Sequence, residues 1–283
     1  MDDRPTRGGG GRAKGVSVVR LQGDEPRDPG LVGGKARGLA ELVRLRVPVP
    51  PAVVLTTQAH ERFRERGAIA EEDRVALAAA VAELGEPLAV RSSAADEDTD
   101  DRSAAGQYDS VMGVRGLEAA IAAVEHCWRG AETGRALAYR DGTPPRVALV
   151  LQREVAADRA GVAFSVDPVT GADAAIVIEA VFGHGEGAVS GAVTPDRYRV
   201  ERATGAVRAR VADKAVASDG SGKLRPLPRE RRTARTLRDD EAHAVARLVE
   251  TAERGLGTPV DVEFCFASDE LWAVQSRPIT TLR

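Results

Sequence analysis

The stretch VDVEFCFASDELWAVQSRPIT, residues 260–280, constrains the fold of this chain more than any other. Val260, Val262, Phe264 and Phe266 alternate with Asp261, Glu263 and Cys265. After a polar break, Trp272 and Val274 alternate with Ala273, Gln275 and Arg277. Period-two alternation interrupted by turn residues predicts a β-hairpin with one apolar face, here Val260 to Phe266 with Trp272 and Val274. The polar residues 261, 263, 275 and 277 all occupy odd positions, and cross-strand neighbours share a face. They come together if Glu263 lies opposite Gln275 and Asp261 opposite Arg277, a register that calls for a connecting loop with an odd number of residues. A carboxylate and an amide then offer two oxygens to one hard cation such as Mg²⁺, whose remaining positions go to water and phosphates. Arg277 would hold phosphates on the same face. A half-exposed hairpin with an Asp261–Arg277 salt bridge accounts for the same pattern without a ligand, but leaves the amide at 275 unexplained.

Ahead of the hairpin, helical and strand-like patterns segregate. VSVVRL (16–21), VPVPPAVVLTT (47–57) after its prolines, and PLAVRSS (87–93) suit strands. Residues 31–45, 58–66, 71–84 and 117–140 suit helices, the last through Leu117, Ile121, Val124, Trp128 and Leu137. Beyond them, 146–155, 161–168 and 174–183 are β-rich, and 196–211 reads as a hairpin turning at Thr204-Gly205. Residues 222–236 read as a basic connector and 239–255 as a helix. The pattern predicts an α+β fold of two lobes: a disordered tail at 1–14, a helix-dominated N-terminal lobe at 15–148 and a strand-dominated C-terminal lobe at 149–283.

Few residues are placed to do chemistry. Gly33-Gly34-Lys35 lacks the P-loop spacing. A lysine at a glycine-flanked helix start reaches a phosphate with the help of backbone N–H groups and the helix dipole, or is simply solvated there. Only four of the 40 basic residues are lysines, so Lys35 departs from the habit of an arginine-rich chain. Arg91 ends an apolar strand, where a guanidinium can take a phosphate bidentately, and small residues follow it. The alternative is an ordinary loop, and its acidic run, Asp96 to Asp101, is solvated. GHGEG at 183–187 is not a dinucleotide fingerprint. His60, His126, His184 and His243 show neither metal-ligand spacing nor pairing with a nucleophile, and Lys214 has no evident role.

Composition narrows the field further. The chain has 283 residues, 43% hydrophobic content and a formal net charge of −3, enough for a sizeable core and poorly suited to nucleic acid or an anionic membrane. No apolar run approaches the ~20 residues of a membrane span, and the start lacks an apolar signal region. Cys127 and Cys265 stand far apart, which suits a reduced cytoplasmic setting.

Taken together, VGGKARGLAEL, VPVPPAVVLTT, VRSSAADED…SAAGQ, GVAFSVDPVTG, GHGEGAVSGAVTPDRY and DVEF…LWAVQSRPIT resemble, in order, the nucleotide-binding domain of the phosphoenolpyruvate synthase and pyruvate phosphate dikinase family, which rifampin phosphotransferase shares. The resemblance covers about residues 30–282. It implies an ATP-grasp fold, two α+β lobes clamping ATP and Mg²⁺. It also implies that Lys35 and Arg91 bind ATP phosphates and that Gly106 and Ser110 belong to the loop closing over them. Gln152 would sit beside the adenine, Glu263 and Gln275 would hold metal and phosphate, and Arg277 would clamp phosphate. Relatives often carry G-L-G-E where this chain has Gly183-His184-Gly185-Glu186. The family's phosphohistidine carrier and acceptor-binding domain are expected outside this sequence, as a separate partner. The implied activity is cleavage of Mg-ATP with transfer of a phosphoryl group to that carrier's histidine. A non-catalytic nucleotide-binding module, a truncated remnant and an acyl-phosphate-forming ligase are the competing readings.

Overall fold

The computed structural model describes residues 17–22, 28–94, 110–132, 145–185, 191–220 and 223–279. The tail expected at 1–14 lies outside them. Five antiparallel strands form the first sheet: β1 (Val18–Arg20), β2 (Ala52–Leu55), β3 (Leu88–Ala94), β4 (Ser110–Val114) and β5 (Val147–Arg153), in the order β1-β2-β5-β3-β4. Alternation splits β5 between two cores. Val147, Leu149 and Leu151 meet α2 (Thr57–Arg66), α3 (Glu71–Leu84) and α4 (Leu117–Ala131) around Phe63 and Trp128. Ala148 and Val150 face the other way, toward α1 (Pro29–Arg44). Both sides of the sheet are covered, which is why its central strand is an unbroken apolar run. The C-terminal part of the long helix expected to 140 lies outside the described residues beyond Glu132.

The second sheet has the order β13-β12-β6-β7-β8-β9 and is also antiparallel. Its strands are β6 (Arg159–Phe164), β7 (Ala175–Phe182), β8 (Asp196–Glu201), β9 (Val207–Arg210), β12 (Val260–Ala267) and β13 (Glu270–Pro278). One face buries Ile176, Ile178, Tyr198, Val262, Phe264 and Phe266 against α6 (Asp239–Leu256), whose Val245, Val249 and Ala252 recur at helical spacing. The other face carries the polar residues of the hairpin. Segment 222–236 is more than a connector: β11 (Leu224–Pro226) pairs with β10 (Val216–Ser218), and α5 (Arg229–Arg232) follows.

β5 is flanked by β2 and β3 along its length, so the chain leaves the first sheet after Arg153 and enters the second at Arg159. The 148/149 boundary expected from the order of helical and strand patterns falls within β5. Helix α1 packs against β3 and β5 of one sheet and β13 of the other.

In the closing hairpin the structure delivers the expected pairing by an unexpected route. Asp261 lies opposite Arg277 and Glu263 opposite Gln275. Yet the loop is the even pair Ser268-Asp269, with φ 48° and 67°. Two left-handed residues make the turn whose twist suits a two-residue hairpin. The register shifts between Glu263 and Phe264 because Val274 is an extra residue, a β-bulge. The bulge inverts the parity of the distal strand. Ala273 and Leu271 therefore join Phe264 and Phe266 in the core, whereas Trp272 and Val274, expected on the apolar face, do not.

Lys214 is structural. Its ammonium is fully buried, 2.5 Å from Asp196 Oδ1, and Asp196 also accepts from Ala212 N–H, Thr236 N–H and the Thr236 hydroxyl, each at 2.8 Å. This satisfied network ties β8 to the segment entering α6.

Candidate functional site

Glycines set the position of α1. Gly33 has φ 79°, a kink inside the helix, and a Cβ there would lie 2.1 Å from the Ser93 carbonyl oxygen. At Gly38 a Cβ would lie 2.0 Å from the Ser276 carbonyl oxygen. The helix thus touches the backbones of β3 and β13 at once, a contact that any side chain would prevent. Ser93 secures the kink: its hydroxyl donates to Val32 C=O at 3.0 Å and accepts from Ala36 N–H at 3.2 Å. Lys35 stands in the first turn after the kink, half-buried.

On β3, Ala89, Arg91 and Ser93 share the face opposite the Leu88/Val90 core, and Ala89 pairs with Gln152 of β5. Arg91 reaches the second sheet, where one guanidinium nitrogen donates to Glu263 Oε2 at 2.8 Å and another to the Val274 carbonyl at 3.1 Å. The bulge makes the second contact available, because Val274 has no ladder partner on β12. The Arg91 and Glu263 side chains are only 18% and 20% exposed. Arg277 Nε holds Asp261 at 2.8 and 3.1 Å, the salt bridge that the ligand-free reading of the sequence anticipated.

Glu263 is the electrostatic centre. Burial pushes its carboxyl upward, but the charge and hydrogen bond of Arg91, with the fields of Arg277 and Lys35, outweigh burial and hold it below its ordinary value. Three cations from three elements therefore converge on one carboxylate. Across the ladder, Gln275 is 3% exposed and its Oε1 has no hydrogen-bond partner among the described residues. A buried amide oxygen left unpaired costs about 1–3 kcal/mol. One carboxylate and one such oxygen, side by side, are a donor set that fits Mg²⁺. Among the described residues no cluster of three or more His, Cys, Asp or Glu side chains could hold a metal, so most of the ion's ligands would come from phosphates and water.

A cavity of about 430 Å³ opens between the sheets, and Arg91, Ser110, Gln152 and Glu263 all line it. Lys35, Gln275 and Arg277 are not in its wall but surround Glu263. Gln152 is buried and donates to Pro50 C=O at 3.5 Å. Ser110 opens β4 opposite Arg91. Gly106 lies outside the described residues. Glu154 and His184, to which the sequence pattern assigns no role, also line the cavity. Glu154 is legible by parity, since it comes two residues after Gln152, just past the end of β5. Cys265 also lines the wall, where burial pushes its thiol up to about 12.

Two α+β units face each other across a cleft whose floor gathers cations around a buried carboxylate, and with its family match this makes the chain one of the ATP-binding class. The family described as "Pyruvate phosphate dikinase, AMP/ATP-binding domain" matches residues 73–283, and the chain belongs to it. It is 37% identical to "Prodigiosin synthesizing transferase PigC" from Serratia marcescens, over 93% of this chain and 33% of that protein. It is 32% identical to a "Probable phosphoenolpyruvate synthase" from Methanothermobacter thermautotrophicus, over 90% of this chain and 45% of that protein. With "Rifampicin phosphotransferase" from Bacillus subtilis it shares 30%, over 94% and 36%. The chain thus spans between a third and a half of these relatives, and the family expected from the sequence is borne out. Among solved structures, D-alanine–D-alanine ligase from Bacillus anthracis complexed with ATP aligns over 86% of this chain and 55% of that one, at 10% identity and TM-score 0.42. No helix among the described residues is long and apolar enough to cross a membrane.

Proposed function

We propose that this chain binds Mg-ATP in the inter-sheet cleft and cleaves it as a dikinase-type phosphotransferase, passing a phosphoryl group to a histidine on a separate carrier domain or protein. The observation that carries the reading is the convergence of Lys35, Arg91 and Arg277 on Glu263, beside the unpaired Gln275 oxygen. Phosphoryl transfer needs positioning and neutralisation of charge more than covalent help, and this floor supplies both. Lys35, Arg91 and Arg277 would hold the phosphates, with Arg91 and Arg277 turning from their carboxylates toward the incoming anion. Glu263 and Gln275 would hold Mg²⁺, which would offset the negative charge of the phosphates. Ser110 and Gln152, in the cavity wall, would border the nucleotide, and Gly106 would belong to the covering loop.

A histidine from elsewhere is proposed because the four in this sequence are badly placed. His60 stacks on Trp128 in the core, and His243 Nε2 bonds Gly205 C=O at 2.7 Å from α6. His126 is on α4, on the far side of the first sheet. His184 is in the cleft, but the cross-strand row through Glu263 meets β7 at Glu179, and the five residues from there to His184 span roughly 16 Å.

A non-catalytic nucleotide sensor is favoured by one observation: both arginines are already satisfied by carboxylates. Incubation with β- and γ-labelled ATP, with and without a phosphohistidine carrier domain from a full-length relative, separates the two. Label on the carrier histidine supports phosphotransfer, whereas tight binding with ATP left intact in every mixture supports the sensor. Lys35→Arg is expected to lower turnover, because a bulkier planar cation replaces a compact one. Wild-type turnover in that variant would remove Lys35 from the phosphate site.

A further inference from the structure

The end of the cavity away from the cations carries two ionisable side chains that the phosphate chemistry does not use. Glu154 follows β5 in the crossing between the sheets. Its N–H donates to Pro87 C=O at 2.9 Å, and its Oε2 accepts from Gly113 N–H at 2.7 Å. The carboxylate is thereby fixed, and Oε1 is the oxygen directed at His184, 3.8 Å from Nε2. The two side chains are 10% and 16% exposed, and both line the cavity.

The imidazole is held as firmly. His184 N–H donates to Ser218 C=O at 3.1 Å, and Gly183 bridges Ser218. The ring packs on Gly220, where φ is 81° and a Cβ would stand 2.6 Å from Nε2, so only glycine leaves it room. His184 Nδ1 is buried and has no partner among the described residues. Val155, Ala157 and Ala160 supply an apolar wall, and Arg153 lines the same cavity. A fixed acceptor–imidazole pair in an apolar slot is the arrangement that reads a flat heteroaromatic edge.

We propose that Glu154 and His184 are specificity-determining residues that select the purine edge bound in this cleft. The proposal rests on the nucleotide reading above and adds to it how this chain discriminates bases. Glu154 Oε1 accepts from an exocyclic amino group, as at the 6-position of adenine, and repels a carbonyl oxygen at that position, as in guanine. His184 holds the carboxylate from the side and closes the slot with its ring.

The experiment is calorimetric binding of Mg-ATP, purine riboside triphosphate and Mg-GTP to the wild-type chain, Glu154→Gln and His184→Leu, with thermal melts to verify folding. In Glu154→Gln the amide oxygen can keep the Gly113 contact, which presents an N–H₂ donor where Oε1 stood. Wild type is expected to lose about tenfold on removal of the 6-amino group and more for GTP, on the scale of one lost or opposed hydrogen bond. Glu154→Gln should narrow the ATP-to-GTP preference by at least about tenfold, chiefly by binding GTP better, an effect that mere structural damage would not produce. His184→Leu should narrow it less. An unchanged ATP-to-GTP ratio in both variants, with ATP still bound, overturns this inference and leaves the nucleotide reading intact. Binding of no nucleotide by wild type overturns both.

Discussion

Glu263→Gln tests the cleft most directly, because the structure gives its two consequences opposite signs. The substitution keeps the shape and one oxygen for Arg91 but removes the charge on which Lys35, Arg91 and Arg277 converge. A charge-assisted hydrogen bond contributes about 1.5–3 kcal/mol and a neutral one about 0.5–1.5, so folding stability should fall by roughly 1 kcal/mol. That corresponds to a melting shift of about 2–4 °C in a chain of this size. Mg-ATP affinity should fall by more than about tenfold, since even residues that merely orient metal ligands cost 10–100-fold. Metal-free ATP should bind more tightly than to wild type, because one negative charge has left the floor. At about 4 Å and an effective dielectric near 20 a unit charge is worth ~4 kcal/mol, and partial exposure with ionic screening cuts this to about 1–2, or roughly tenfold. Calorimetry with Mg²⁺ and then with chelator reads both. Equal changes in the two titrations, or none with Mg²⁺, would show that Glu263 does not hold the ion.

Other expectations concern the frame. Gly38→Ala should cost about 3 kcal/mol or more in denaturant unfolding, because its Cβ would meet Ser276 C=O at 2.0 Å. A cost within 0.5 kcal/mol would mean that α1 does not rest on β13. Lys214→Met should destabilise by about 3–5 kcal/mol by stranding Asp196, and adding Asp196→Asn should recover part of that loss. Additive losses would contradict the coupling. His60 is pushed down to about 4 by burial and then by Arg64. Its folded value lies below the ordinary 6.5, so the unfolded chain binds the proton first. Stability from this residue is complete above pH 6.5 and is lost as pH falls toward 4, by about 1.4 kcal/mol per unit. His60→Gln should flatten that slope, and an unaltered slope would assign it to other groups.

Element types were legible in the sequence because each follows from neighbours in the chain. Apolar spacing placed α2 and α3 within a residue of their observed ends, and alternation placed the closing hairpin. The pairing of Glu263 with Gln275 was legible too, as one of the registers that bring all four polar residues to one face. How that pairing is reached was not. The turn's left-handed residues and the Val274 bulge are chosen by strand twist and by the partner that the bulge meets, the guanidinium of Arg91 from another sheet. The same limit applies to Lys214, whose counter-ion lies 18 residues back and is buried with it. It applies again to Gly38, which sequence shows as an ordinary helix residue and which packing against β13 makes indispensable. The polar pair at the far end of the cavity belongs with them: Glu154 and His184 are 30 residues apart, and only the crossing between the sheets sets them 3.8 Å from each other. Local pattern determines what each segment can become, since it depends on periods of two and 3.6 residues. Contacts between distant segments determine which charges share a space, and the cleft is made entirely of such contacts.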